Sequence, residues 1–306
     1  MTNPSPKIVF FGNERLATGV TTSCPTLTAL LAAGYDVAAV VLHNQTATSR
    51  SKRALEIAEL AKLHNIPVLL PHKLTDCADQ LKSLQADIGV LVAFGKIVPQ
   101  SIIDLFPRGI VNVHPSALPL RRGPTPLEST ILSGQTETAV SLMQLSAKMD
   151  AGPVYAQRAL LVPSNTTKQS LANSASQIGS NLVVQHLPAI IDGSLQPTPQ
   201  DDALATYDQL ITKADGQVDW HKPAVQLERQ IRAYSGWPKS TATVGAQQFI
   251  ITQAVVVPTT GKPGSFEQTK KELLVYCGKD AIAITHVQPL NKKEMPIQAF
   301  LSGYSL

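Results

Sequence analysis

The chain has 306 residues, 43% hydrophobic and 16% charged, with a formal charge of +4. That is the balance of a folded globular protein with room for two cores, and it argues against a disordered chain. The small positive surplus permits contact with a polyanion without requiring one.

Short apolar runs alternate with stretches of helical periodicity through the first two thirds. Strands are expected at residues 7–11, 36–42, 67–70, 87–94, 109–113, 139–145 and 154–162. Helices are expected at 26–33, 52–64, 75–84, 99–105, 126–132 and 167–191, the first closing at Gly34 and two carrying a proline in their first turn. This alternation predicts an α/β fold with a doubly wound, mostly parallel, Rossmann-like sheet. Residues 192–207, with Gly193, Pro197 and Pro199, have the composition of a linker. Beyond them a helix at 224–234 and short runs at 247–257, 272–277 and 281–289 predict a smaller β-rich barrel or sandwich. The expected organisation is therefore a first domain at 1–191, a linker at 192–207 and a second domain at 208–306.

Several common sites are disfavoured. Phe11-Gly12-Asn13-Glu14-Arg15 offers one glycine where a dinucleotide fingerprint needs three, and Gly95-Lys96 is followed by Ile97 where a phosphate loop needs Ser or Thr. Cys24, Cys77 and Cys277 are far apart and odd in number, which argues against a disulfide framework. The histidines lack ligand spacing, so no metal is expected. The apolar run from Lys7 is too short for a signal peptide, and no segment approaches the roughly 18 apolar residues of a membrane span; a cytoplasmic protein is expected.

The informative stretch is Asn112-Val-His114-Pro-Ser116. Residues two apart on a strand share a face, so Asn112 and His114 project side by side where a buried strand ends. In an open parallel sheet that is the border of the ligand crevice. Taken alone the pair reads equally well as structural. The prolines of Pro115-Ser116 and Leu118-Pro119 then stiffen the following loop. Asp150, between Met149 and Ala151-Gly152-Pro153, offers a carboxylate; taken alone it reads as a turn former. A carboxamide, an imidazole and a carboxylate are the groups needed to move a one-carbon acyl unit onto an amine.

These residues carry a resemblance to the methionyl-tRNA formyltransferase family. It rests on Asn112, His114, Ser116-Ala117-Leu118-Pro119, Arg122-Gly123, Met143-Gln144-Leu145 and Met149-Asp150-Ala151-Gly152. It continues in Ala205-Thr206-Tyr207, Ile211-Thr212-Lys213, Asp215-Gly216-Gln-Val-Asp219-Trp220 and Leu227 to Tyr234. The resemblance implies a formyltransferase fold with an OB-like second domain, Asn112, His114 and Asp150 as catalytic residues, and 10-formyltetrahydrofolate as formyl donor. It implies initiator methionyl-tRNA as acceptor, with no membrane or DNA partner and a monomeric state. Folate contacts are expected from Phe94, Gly95, Ser116, Ala117, Leu118 and Pro119, and tRNA contacts from Arg50, Lys52, Arg53, Arg121 and Arg122, with Lys270, Lys271, Lys292 and Lys293 as further candidates. The stretch 43–53 departs from the family in being short and lacking its glycines. A folate-dependent formyltransferase acting on a sugar or nucleotide amine is the alternative.

Overall fold

Buried β-branched and aromatic residues build the first sheet from the amino end of the chain. In the computed structural model, which describes residues 5–43 and 55–306, β1 (Lys7–Phe11) is followed by α1 (Pro25–Ala32), β2 (Asp36–Val41), α2 (Glu56–Leu63), β3 (Val68–Leu69), α3 (Ala78–Ser83), β4 (Ile88–Leu91) and α4 (Gln100–Ile103). Then come β5 (Ile110–His114), α5 (Pro126–Ser133), β6 (Glu137–Gln144), β7 (Val154–Leu161) and α6 (Lys168–Asp192). The seven strands lie in the order β3-β2-β1-β4-β5-β6-β7. The first five are mutually parallel, and β6 runs antiparallel to both neighbours. One face is filled by Val9, Phe11, Leu81, Leu91, Phe94, Ile102 and Phe106.

The strand order reverses direction between β1 and β4, and the loops leaving these two strands are joined. Asn13 and Glu14 donate their N–H groups to Ala93 and Val92 carbonyls at 3.3 and 3.2 Å. Gly12 makes the approach possible: at φ 111° an added Cβ would lie 2.0 Å from the Val92 oxygen. The turn ends β4 at Leu91, short of the expected 94, because Ala93 takes a left-handed φ of 52°. Glu14, 1% exposed, accepts the Thr26 and Leu27 N–H groups at 2.9 Å and so serves the open amino end of α1.

Downstream are α7 (Ala224–Ala233), β8 (Ser240–Val244), β9 (Gln247–Val257), β10 (Phe266–Gln268), β11 (Leu273–Tyr276), β12 (Ala281–Pro289), β13 (Met295–Pro296) and α8 (Ile297–Gly303). These strands form an antiparallel half-barrel in the order β10-β11-β12-β9-β8, with β13 on β12. Ala224, Leu227 and Ile231 of α7 bury one helical stripe with Phe249, Ile282 and Phe300. β8, β10, β13 and α8 were not expected from the sequence; each is short and draws its order from packing.

By contact the chain divides into two units, Met1–Pro126 with Glu137–Leu161 and Leu171–Gln209, and Leu127–Thr136 with Val162–Ser170 and Leu210–Leu306. Residues 192–207, expected as a linker, thus belong to the first unit, where Thr198 pairs with Val154. Among the described residues no helix is long and apolar enough to cross a membrane.

Candidate active site

β5 is buried along its whole length. Its Val113 meets α6 at Gly179, where an added Cβ would stand 2.5 Å from the valine Cγ1. Asn112 and His114 point from the opposite face by strand alternation, and are 7% and 5% exposed. Among the described residues no protein group hydrogen-bonds the Asn112 carboxamide. A buried amide is rarely left so, and this one has its donors and acceptor open to a ligand.

His114 Nε2 lies 2.9 Å from the Arg121 carbonyl oxygen. The carbonyl can only accept, so Nε2 carries a proton and donates. Nδ1 faces Asp150 Oδ1 at 3.7 Å, within ion-pair range when the ring is protonated and longer than a hydrogen bond.

Asp150 arrives by an indirect route. Because β6 is antiparallel to β5, its end at Gln144 lies beside Val111, at the amino end of β5. Leu145 N–H donates to Ile110 O at 2.7 Å, and residues 145–153 must then double back. Gly152 permits the turn, since a Cβ there would lie 1.8 Å from the Gln144 oxygen. Asp150 itself adopts a left-handed φ of 49°, and Gly123 N–H donates to its Oδ2 at 2.8 Å. Gly123 is confined too: at φ 119° a Cβ would stand 2.7 Å from Asp208 O.

The loop after His114 is pinned from inside. The Ser116 hydroxyl donates to Leu120 O at 2.7 Å, and Ser141 Oγ donates to Ser116 O at 2.6 Å. Gln157 donates to Leu118 O at 2.7 Å, across a segment whose Leu118-Pro119 bond is cis.

Residues 7–187 match the family described as formyl transferase, and residues 210–305 match the formyl transferase C-terminal domain. The methionyl-tRNA formyltransferase of Chloroflexus aggregans is 36% identical over 307 aligned residues, covering 97% of both chains. The chain belongs to the methionyl-tRNA formyltransferase family. Another member, from Geobacter sulfurreducens, is 33% identical, with 98% of this chain and 94% of that one covered. Among solved structures, the sugar 3N-formyl transferase WlaRD superposes with a TM-score of 0.68 at 18% identity, covering 95% of this chain and 100% of that one. HypX from Aquifex aeolicus gives 0.68 at 19% identity over 98% of this chain, which spans about half of HypX (48%). Both share the formyltransferase fold.

In this formyltransferase His114 and Asp150 face each other at 3.7 Å, and Asn112 shares the face of β5 that carries His114. Other expected contacts need correction. Arg122 is 1% exposed and turned inward. Its guanidinium binds Gln200 Oε1, the Tyr207 hydroxyl at 2.9 Å and Asp202 at 2.7 Å, so it is occupied within the protein and closed to a phosphate. Burial alone would lower its pKa; the bonds to Asp202 and Tyr207 outweigh that and leave it raised. Arg121 is partly buried, its side chain pairing with Asp208 at 3.3 Å and its N–H donating to Thr206 Oγ1 at 2.8 Å.

The expected folate residues divide. Phe94 is 5% exposed, its ring edge-on to Phe11 in the core, and Ser116 and Leu118 are buried in the pinned loop at 0% and 5% exposure. Gly95 is exposed, and Ala117 and Pro119 are half-buried. Arg50, Lys52 and Arg53 lie outside the described residues, whereas Lys270, Lys271, Lys292 and Lys293 are exposed. Sequence reading missed Ser141, Gln157 and Gln200. A serine inside the apolar run Ala139-Val-Ser141-Leu-Met143 was a signal for the first.

Proposed function

We propose that this chain transfers the formyl group of 10-formyltetrahydrofolate to the α-amino group of methionine esterified to initiator tRNA. The observation that carries the reading is the approach of His114 Nδ1 to Asp150 Oδ1, 3.7 Å apart, with Asn112 on the same face of β5 as His114. Relatives named methionyl-tRNA formyltransferase, matched over nearly their whole length, support the choice of acceptor.

Attack by the amine nitrogen on the formyl carbon drives negative charge onto the formyl oxygen as the carbon becomes tetrahedral. Among the described residues the Asn112 carboxamide has no protein partner to surrender, so its N–H can meet that oxygen without a prior bond to these residues being broken. His114 is held by its Nε2 donation to Arg121 O, which leaves Nδ1 as the ring atom turned to the reaction. Asp150 is fixed through Oδ2 by Gly123, and Oδ1 is left to balance a protonated His114 or to receive the amine's proton through a water. Collapse of the tetrahedral centre breaks the bond to the folate nitrogen, which takes up a proton. Among the described residues no cluster of side chains suits a metal ion, and the scheme assigns no step to one. The exposed Gly95 and the half-buried Ala117 and Pro119 are proposed to border the folate.

The test is transfer of labelled formyl from 10-formyltetrahydrofolate to charged initiator tRNA, charged elongator tRNA and amino sugars in parallel. Formylation confined to initiator methionyl-tRNA is expected, and raised salt should weaken it through the phosphate contacts. Transfer to an amino sugar alone would overturn the reading.

A further inference from the structure

The segment 192–207 sends one side chain into the loop that carries Asp150. The Gln200 carboxamide offers two donors and two acceptor positions, and all four are used. Nε2 donates to Asp150 O at 2.8 Å and to Gly152 O at 2.6 Å. Oε1 accepts from Arg122 Nε at 3.1 Å and from Nη2 at 2.9 Å. The amide cannot be reversed, because a guanidinium only donates and a backbone carbonyl only accepts. Arg122 is in turn buried and gripped by Tyr207 and Asp202. The next residue, Gly123, holds Asp150 Oδ2. The Arg122-Gly123 step thus fixes Asp150 twice, by its carboxylate directly and by its backbone through Gln200. Asp150 sits at a left-handed φ of 49°, a conformation that aspartate tolerates better than most non-glycine residues and that these bonds hold in place.

We infer that Gln200 is a positioning residue for formyl transfer: its amide locks the Asp150–Gly152 turn onto the buried Arg122 and so sets the Asp150 carboxylate against His114. This rests on the part given to Asp150 under the proposed function. The competing role is attachment of residues 198–207 to the first unit, with no bearing on chemistry. Gln200→Glu separates the two roles. It keeps both acceptors for Arg122, and it replaces the two N–H donors by an oxygen facing two carbonyl oxygens.

The experiment measures melting temperature, kcat and KM for the full-length protein, Gln200→Glu, Gln200→Ala, Asp150→Asn and the two double variants with Asp150→Asn, all well below their melting temperatures. Gln200→Glu should melt close to the parent and lose on the order of 10- to 100-fold in kcat with KM for the formyl donor little changed. Neither Gln200 substitution should lower kcat further once Asp150 is Asn, since both act through one group. A kcat for Gln200→Glu within about twofold of the parent would overturn the inference, as would a loss of equal size in the Asp150→Asn background. Failure of both Gln200 variants to fold overturns it too, because Gln200 would then serve the fold itself. Full activity in Asp150→Asn alone would instead remove the proposed role of Asp150, whatever Gln200 does.

Discussion

Replacing Lys168 by methionine removes a positive charge that faces the buried carboxylate of Glu128. The Lys168 side chain is fully buried, its Nζ 3.5 Å from Glu128 Oε1, and it donates to Trp237 O at 2.6 Å. Burial holds the amine below its ordinary value of 10.5, and Glu128 pulls it part of the way back. At an effective dielectric of about 20, unit charges at this 3.5 Å separation attract by about 5 kcal/mol, an energy largely offset by desolvation of both groups. Lys168→Met keeps much of the apolar stem and removes the ammonium facing Glu128, whose side chain is 4% exposed, so a loss of about 3–5 kcal/mol is expected. For a unit of this size that lowers the melting temperature by roughly 10 °C or more. Glu128→Leu should cost a similar amount. The double variant should recover most of the loss, because a packed apolar pair replaces two buried ions. Calorimetry and urea unfolding of the four proteins decide the matter. A loss below about 1 kcal/mol for Lys168→Met, or single losses that simply add in the double variant, would refute the argument.

Asn112→Ala should lower the single-turnover rate of formyl transfer by roughly 10²- to 10³-fold while the melting temperature stays near the parent's, because no bond of that carboxamide to the described residues is lost; a large fall in melting temperature with an unchanged rate would contradict this. Burial, reinforced by Glu14 and Glu56, pushes the Cys24 thiol up to about 12, and burial pushes Cys277 up to about 11. Both therefore stay protonated well above neutral pH, and iodoacetamide at about pH 8 should modify them slowly until the protein is unfolded, when all three cysteines react. Mass spectrometry showing rapid labelling of Cys24 in the folded protein would count against it.

Local periodicity carried much of this molecule. The alternation along Ile110–His114 put Asn112 and His114 side by side, the αβ alternation gave the doubly wound sheet, and both second-domain strands with long apolar runs, β9 and β12, were legible. These follow from the chain's own repeat, which needs no knowledge of partners. Asp150 was marked by its neighbours in sequence, but its path was not. An antiparallel β6 delivers the chain to the wrong end of β5, and only the turn over the Gln144 carbonyl at Gly152 returns the carboxylate to His114. Arg121 and Arg122 read as surface cations and Gln200 as linker for the same reason. Composition records that a side chain is charged or polar, while the direction it faces depends on hydrogen-bond partners 78 and 80 residues away, which only the folded backbone brings to 3.1 and 2.7 Å.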